Sequence, residues 1–255
     1  MTRLKEDERV LSLISPVKAE QPAWGYRMIW AYLKYRLGHR VNKKRIYRIM
    51  KEHELLVKPN LRLKSRHDNQ NNRSKPRATR PNQFWGIDMT KIMIEYFGWL
   101  YLVVVLDWYT KKIAGYSISV RSKASDWLEA INMACNNQFP VSILRKDHEL
   151  FLVSDNGSQP TSLSFMRACS VMEIKQIFAS YNNPRGNADT ERVIKTIKHD
   201  FIWAREFHSV TEFTEQFSLW VDKYNTDRPH STIGYRTPCD FEKEQLMFST
   251  KKCLA

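Results

Sequence analysis

Phe151-Leu152-Val153-Ser154-Asp155-Asn156-Gly157 passes within one short stretch from a wholly apolar run to a carboxylate and a turn. That pattern predicts a buried strand delivering Asp155 at its end. Further on, the polar, turn-rich Ser180-Tyr181-Asn182-Asn183-Pro184-Arg185-Gly186-Asn187 runs into Thr190-Glu191-Arg192-Val193-Ile194-Lys195-Thr196-Ile197-Lys198, whose apolar spacing is helical. Glu191 opens that helix, with 35 residues between it and Asp155. Upstream, Phe84-Trp85-Gly86-Ile87-Asp88-Met89-Thr90 offers a third carboxylate in a strand-like setting. Three acids that converge repel one another unless a cation lies between them. Oxygen-only ligands favour magnesium or manganese over zinc. Such a site suits phosphodiester chemistry, in which two metal ions about 4 Å apart stabilise the attacking and leaving oxygens.

Around these acids the pattern predicts an α/β body. Phe84 to Ile94, Trp99 to Leu106 and Lys112 to Ser119 read as strands joined closely enough to form an antiparallel meander. A helix over Ser125 to Asn136, a strand over Phe151 to Ser154, a helix over Ser162 to Ala168 and a strand over Glu173 to Phe178 follow. Helices from Thr190 and from Thr211 to Asn225 close a mixed sheet with helices on its faces. Asp107, in Asp107-Trp108-Tyr109-Thr110, is expected to make the turn into the third strand. Asp189 is expected to cap its helix, Asn156 and Gly157 to shape the turn after Asp155, and His230 to be structural. Gly186 suits a loop that moves when DNA binds.

The first third of the chain has a different texture. The formal charge is +14, and residues 1–80, with 21 Lys+Arg against 7 Asp+Glu, hold all of the excess. A basic module joined to a neutral body points to a polyanionic partner. Residues 3–15 predict an amphipathic helix stopped by Pro16, and Tyr26 to Leu37 a second, ended by Gly38. Asn42 is a candidate cap for a third helix, Lys43 to Glu52, with Ile46, Ile49 and Met50 inward and Lys43, Lys44, Arg45, Tyr47, Arg48 and Lys51 outward. Two helices about a glycine-containing turn, the second strongly basic, fit a helix-turn-helix whose candidate DNA contacts are those six residues and Arg27. The organisation expected is therefore a helical DNA-binding domain over 1–57, a basic linker over 58–80, a catalytic core over 81–245 and a tail over 246–255. The four cysteines show no C-x-x-C spacing, which suits a reducing cytosol and argues against structural zinc. The longest apolar run, Trp99 to Leu106, is too short to cross a membrane, and no apolar signal region opens the chain.

These residues resemble the bacterial insertion-sequence transposases whose catalytic body is the retroviral-integrase core, in particular the second-frame protein of elements encoded in two overlapping frames. The resemblance rests on Asp88, on Asp155 followed by Asn156-Gly157, on Glu191 at family spacing, and on Lys198 seven positions beyond it. It extends over nearly the whole chain through Arg80 to Trp85, Leu106 to Thr110, and Tyr224-Asn225 through Arg228-Pro229-His230 to Pro238. Trp24 to Arg27 and Val41 to Tyr47 are similar to the family's N-terminal helical domain. The resemblance implies a ribonuclease H-like fold and divalent-metal-dependent strand cleavage followed by transfer of the freed 3′-hydroxyl. It also implies Mg²⁺ or Mn²⁺ held by Asp88, Asp155 and Glu191, two ions per site, and Lys198 contacting a phosphate beside them. Implied partners are the double-stranded DNA of element ends and target, further copies of the chain on that DNA, and the upstream first-frame protein, which in the family carries a further DNA-binding motif. A bacterial cytoplasmic location, at the nucleoid when DNA-bound, follows. Two other readings share these residues: a DNA-binding regulator without catalysis, and a ribonuclease H-like nuclease, for which a basic helix-turn-helix has no use.

Overall fold

The computed structural model describes residues 3–57, 77–139, 149–179 and 187–253. Residues 58–76 of the linker expected over 58–80, and Gly186, lie outside the described residues. The chain forms two compact units, one of Met1–Gln70 with Asp227–Thr237, the other of Asn71–Thr226 with Pro238–Ala255.

The first unit holds α1 (Arg3–Glu20), α2 (Tyr26–Tyr35) and α3 (Lys43–Glu52). Pro16 does not stop α1, which runs through it to Glu20. A helix-interior proline costs about 3 kcal/mol, but here Val10, Ile14 and Val17 are all buried against α2 and α3. Burial of that stripe holds the turn beyond the proline, so packing overrides propensity. In α2 the last helical residue is Tyr35, two short of the expected Leu37, and Gly38 takes the left-handed φ of +72° that turns the chain toward α3. Asn42 caps α3 as expected, accepting from Lys44 N at 2.8 Å, with Ile46, Ile49 and Met50 inward.

The second unit is built on one sheet ordered β3-β2-β1-β4-β5. Its strands are β1 (Phe84–Ile94), β2 (Gly98–Asp107), β3 (Ile113–Ser119), β4 (Leu150–Ser154) and β5 (Ile174–Phe178). The first three form the antiparallel meander, and β4 and β5 add in parallel beyond β1. The helices are α4 (Ala124–Gln138), α5 (Leu163–Val171), α6 (Ala188–Ile197), α7 (Val210–Thr226) and α8 (Pro238–Cys253). Side chains alternate across a strand, so β2 serves two cores at once. Leu100, Leu102, Val104 and Leu106 join Val193, Ile194 and Ile197 of α6 and Phe213, Phe217 and Trp220 of α7. Val103 and Val105 join Trp127, Ala130 and Ile131 of α4 and Phe165 of α5. Burial on both faces explains why β2 reads as a continuous apolar run. Residues 246–253, expected as a tail, continue α8.

Candidate active site

Strand register brings the first two acids together. In the parallel pair, Phe84 lies opposite Phe151, Trp85 opposite Leu152 and Gly86 opposite Val153. Asp88 and Asp155 each stand two residues beyond the last of these pairs, so both project to the same face at the same level of adjacent strands. Val153 contributes to the core under α6, which identifies that face as the α6 side.

The third acid is carried there by the close seating of α6 on β1. Gly86 makes the seating possible, because a Cβ at this position would stand 1.9 Å from Thr190 Oγ1, 2.3 Å from Trp108 Nε1 and 2.8 Å from Asn187 Oδ1. Two buried hydrogen bonds fasten the helix start: Asn187 Nδ2 donates to Ile87 O at 3.0 Å, and Trp108 Nε1 donates to Thr190 Oγ1 at 3.1 Å. An ion pair of 3.2 Å between Lys111 and Asp189 adds a tie from the β2–β3 turn. Asp107 shapes that turn as expected, accepting from Thr110 Oγ1 at 2.7 Å and from Thr110 N at 3.2 Å, while Lys111 adopts a φ of +64°. Burial pushes the Asp107 carboxyl up to about 6. Asp189 is not the cap expected of it. The cap position is Asn187, with no side-chain capping bond, and Asp189 lies one residue inside Ala188, where its carboxylate meets Lys111 and, at 4.0 Å, Arg192. Of the residues that seat the helix, the sequence marks Asp107 and Asp189 but not Gly86, Asn187, Thr190, Trp108 or Lys111. Their signal was there in outline, as a glycine inside a strand and a threonine on the apolar stripe of α6.

The electrostatics record the convergence. The Asp88 carboxyl is raised to about 6, chiefly by burial and also by Asp155 and Glu191, against the opposing Met89 backbone N–H and Lys198. Asp88 is half-buried, whereas Asp155 and Glu191 are exposed. Each aspartate is oriented through Oδ1, Asp88 by Met89 N at 2.7 Å and Asp155 by Gly157 N at 3.1 Å. Asn156 Nδ2 fixes the same turn by donating to Ala179 O at 3.2 Å. Lys198 follows the last residue of α6, two turns beyond Glu191 and on its face. There the helix passes into a π-helical turn, Lys198–Ile202, with Phe201 buried among Phe207, Phe213 and Phe217.

Among the described residues no three His, Cys, Asp or Glu side chains are already gathered closely enough to cage a metal ion. The residues nonetheless fit one. The donor set is oxygen only, and Asp155 and Glu191 both raise the Asp88 carboxyl, a mutual repulsion that a cation between them would relieve.

The candidate DNA contacts divide. Arg27, Lys43, Lys44, Tyr47 and Lys51 are exposed on the helical unit. Arg45 and Arg48 are instead half-buried against α1, where Asp7 lies 3.4 Å from Arg45 and 2.7 Å from Arg48. Arg48 also reaches Glu52 at 3.1 Å, and Arg45 reaches Glu6 at 3.7 Å. The outward face expected of α3 is thus narrower than its own sequence suggests, because the neutralising acids come from another helix. His230 pairs its backbone with Arg236 in an isolated bridge, in keeping with a structural role.

Comparison with known proteins agrees with this architecture. Residues 78–184 and 172–238 match models of an integrase core domain, and residues 5–62 match an HTH-like domain. The transposase for insertion sequence element IS904 of Lactococcus lactis is 32% identical over 216 residues, covering 81% of this chain and 82% of that protein. Transposase InsD of the IS2 elements of Escherichia coli is 24% identical, covering 99% of this chain and 85% of its own length. Among solved structures, a chain of the simian T-cell lymphotropic virus intasome, in complex with PP2A regulatory subunit B56 gamma, superposes with a TM-score of 0.56 at 16% identity, over 86% of this chain and 70% of that one. The sheet order, the flanking helices and this likeness make the fold ribonuclease H-like. With a helix-turn-helix-like unit and an integrase core in one chain, the protein belongs to the insertion-sequence transposases, enzymes of the DDE-type polynucleotidyl transferases.

Proposed function

We propose that this chain mobilises an insertion sequence by divalent-metal-dependent strand cleavage and strand transfer, with Asp88, Asp155 and Glu191 as its catalytic acids. In the first step water opens a phosphodiester and frees a 3′-hydroxyl. In the second that hydroxyl attacks a target phosphodiester, forming a new P–O bond and displacing the target's own 3′ oxygen. Mg²⁺ or Mn²⁺, two ions per site, would supply charge stabilisation to the attacking and leaving oxygens when bound. The observation that carries this reading is the placement of Asp88 within the electrostatic reach of Asp155, Glu191 and Lys198 together.

The chain's own residues divide the work. The two aspartates, oriented by Met89 N and Gly157 N, form the fixed side of the ligand set. Glu191, on the exposed start of α6, completes it. Lys198 offers its ammonium to a phosphate oxygen beside the acids. Element-end and target duplexes are the substrates, copies of this chain assemble on them, and the first-frame protein is a further partner. The setting is the bacterial cytoplasm.

The test is to mix the purified protein with labelled DNA carrying the parent element's end in Mg²⁺, Mn²⁺ or EDTA, and to resolve nicked and joined strands. Metal-dependent joining is expected, and Glu191→Gln should lower it by at least a hundredfold while duplex binding is retained. Cleavage without any joined product would leave a nuclease. Binding without cleavage in either metal, also with the first-frame segment fused, would leave a regulator.

A further inference from the structure

The basic residues of the helical unit fall into two groups. One is neutralised within the fold: Arg9, Arg36, Arg45 and Arg48 each have a carboxylate within 4.0 Å, from Glu6, Asp227, Asp7 or Glu52. The other lines a groove between α2 and the start of α3, formed by Trp30, Lys34, Arg40, Val41, Asn42 and Lys43. Among the described residues none of Lys34, Arg40 and Lys43 is paired with a carboxylate.

These cations are also held close together. The ammonium groups of Lys34 and Lys43 both lie 5.1 Å from the centroid of the Trp30 ring. Both ammonium groups thus share one ring, and their separation is at most about twice that distance. A ring face attracts each cation but removes no charge. Trp30 is itself fixed: Nε1 donates to Val41 O at 3.1 Å, and the rings of Tyr35 and Tyr235 meet it edge-on at 5.9 and 5.5 Å. The α3 terminus does not supply the pull, since Asn42 Oδ1 already accepts from Lys44 N. The groove therefore presents a fixed aromatic floor with three cations that no carboxylate neutralises, from α2, α3 and the loop between them, a surface complementary to an anion.

We infer that this groove seats a backbone phosphate of duplex DNA, clamped by Lys34, Arg40 and Lys43 over Trp30. It is the main sequence-independent contact of the helical unit, and Arg45 and Arg48 hold α3 on α1 instead. The assignment rests on the DNA-binding reading above and adds Lys34, Arg40 and Trp30, which the chain order does not mark. The occupant is DNA because the polyanion partner is already called for by the surplus of 21 basic over 7 acidic residues in positions 1–80 and by the HTH-like match spanning the groove.

Phosphate contacts have a thermodynamic signature, because each one releases counterions and adds about 0.9 to the slope of log K against log salt. Full-length protein should be titrated with an element-end duplex and with a scrambled duplex of equal length across a range of KCl. Relative to wild type, Lys34→Gln/Lys43→Gln should lower the slope by about 0.9, the share of one phosphate, weaken both duplexes alike, and leave the thermal midpoint level or raised. Lys34→Arg/Lys43→Arg should restore the slope. Arg9→Gln, which removes one exposed charge elsewhere on the same unit, should leave it unchanged. A slope equal to wild type in the folded double variant overturns the inference, as does a loss confined to the element-end duplex. Wild-type protein without measurable affinity for either duplex overturns the DNA-binding reading as well, so the two failures are distinguishable.

Discussion

Asp88 is the residue at which the fold meets the proposed chemistry. Its proton is held more tightly in the folded chain, with a carboxyl raised from 3.8 to about 6, than in the unfolded one. Between those values the unfolded chain releases its proton first. The contribution of this carboxyl to stability is therefore greatest below about pH 4, falls as pH rises through about 6, and is level above. In EDTA at pH 7.5, Asp88→Asn should melt higher than wild type, by an amount on the order of 1–3 kcal/mol, and the gap should close near pH 4. Mg²⁺ should raise the wild-type midpoint at pH 7.5 and leave the variant unmoved; equal responses would remove Asp88 from the metal set. Asp88, Asp155 and Glu191, the acids proposed as catalytic, stand out in the sequence because an acid at the edge of an apolar run is conspicuous. The pairing of Arg45 and Arg48 was not, because Glu6 and Asp7 reach them only once α1 is folded.

At the scale of elements, α6 and β1 act as one part. Glu191 takes its position from the helix, and the helix from Gly86, Asn187, Thr190 and Trp108. Gly86→Ala forces Thr190, Trp108 and Asn187 aside and should cost about 1–3 kcal/mol as overpacking. Its sharper effect is expected in strand transfer, at least tenfold down, with duplex affinity within twofold of wild type. A Gly86→Ala protein with unimpaired joining would show that α6 tolerates displacement. Helices and strands of the core were legible to within a few residues because their apolar periods are clean. Two features escaped: the passage of α1 through Pro16, decided by burial of Val17, and the whole of α8, whose apolar residues lack a clear stripe.

At the scale of the whole molecule, charge and chain path divide differently. Charge follows the sequence, with the basic excess confined to residues 1–80. Structure does not, since Asp227–Thr237 belongs with the helical unit and the chain then returns to the core as α8. Asp227 receives hydrogen bonds from Tyr32 Oη at 3.2 Å and Arg36 Nε at 3.1 Å, and Tyr235 stacks on Tyr35 at 6.3 Å. Asp227→Ala should destabilise the helical unit by about 0.5–1 kcal/mol, because it removes the carboxylate that accepts from Tyr32 Oη and Arg36 Nε. Faster proteolytic nicking within α2, with the core resistant, would register it; unchanged nicking would show the contacts to be idle. No sequence period announces such a visit, because both partners look like ordinary surface residues until the chain has doubled back. Its consequence concerns inheritance. A recombination event that exchanged only the first 57 residues for those of another element would bring in a foreign α2 to meet the resident Asp227 and Tyr235. Recognition modules in this lineage are thus constrained to change by drift in place, or to travel with a matching partner from the far end of the gene.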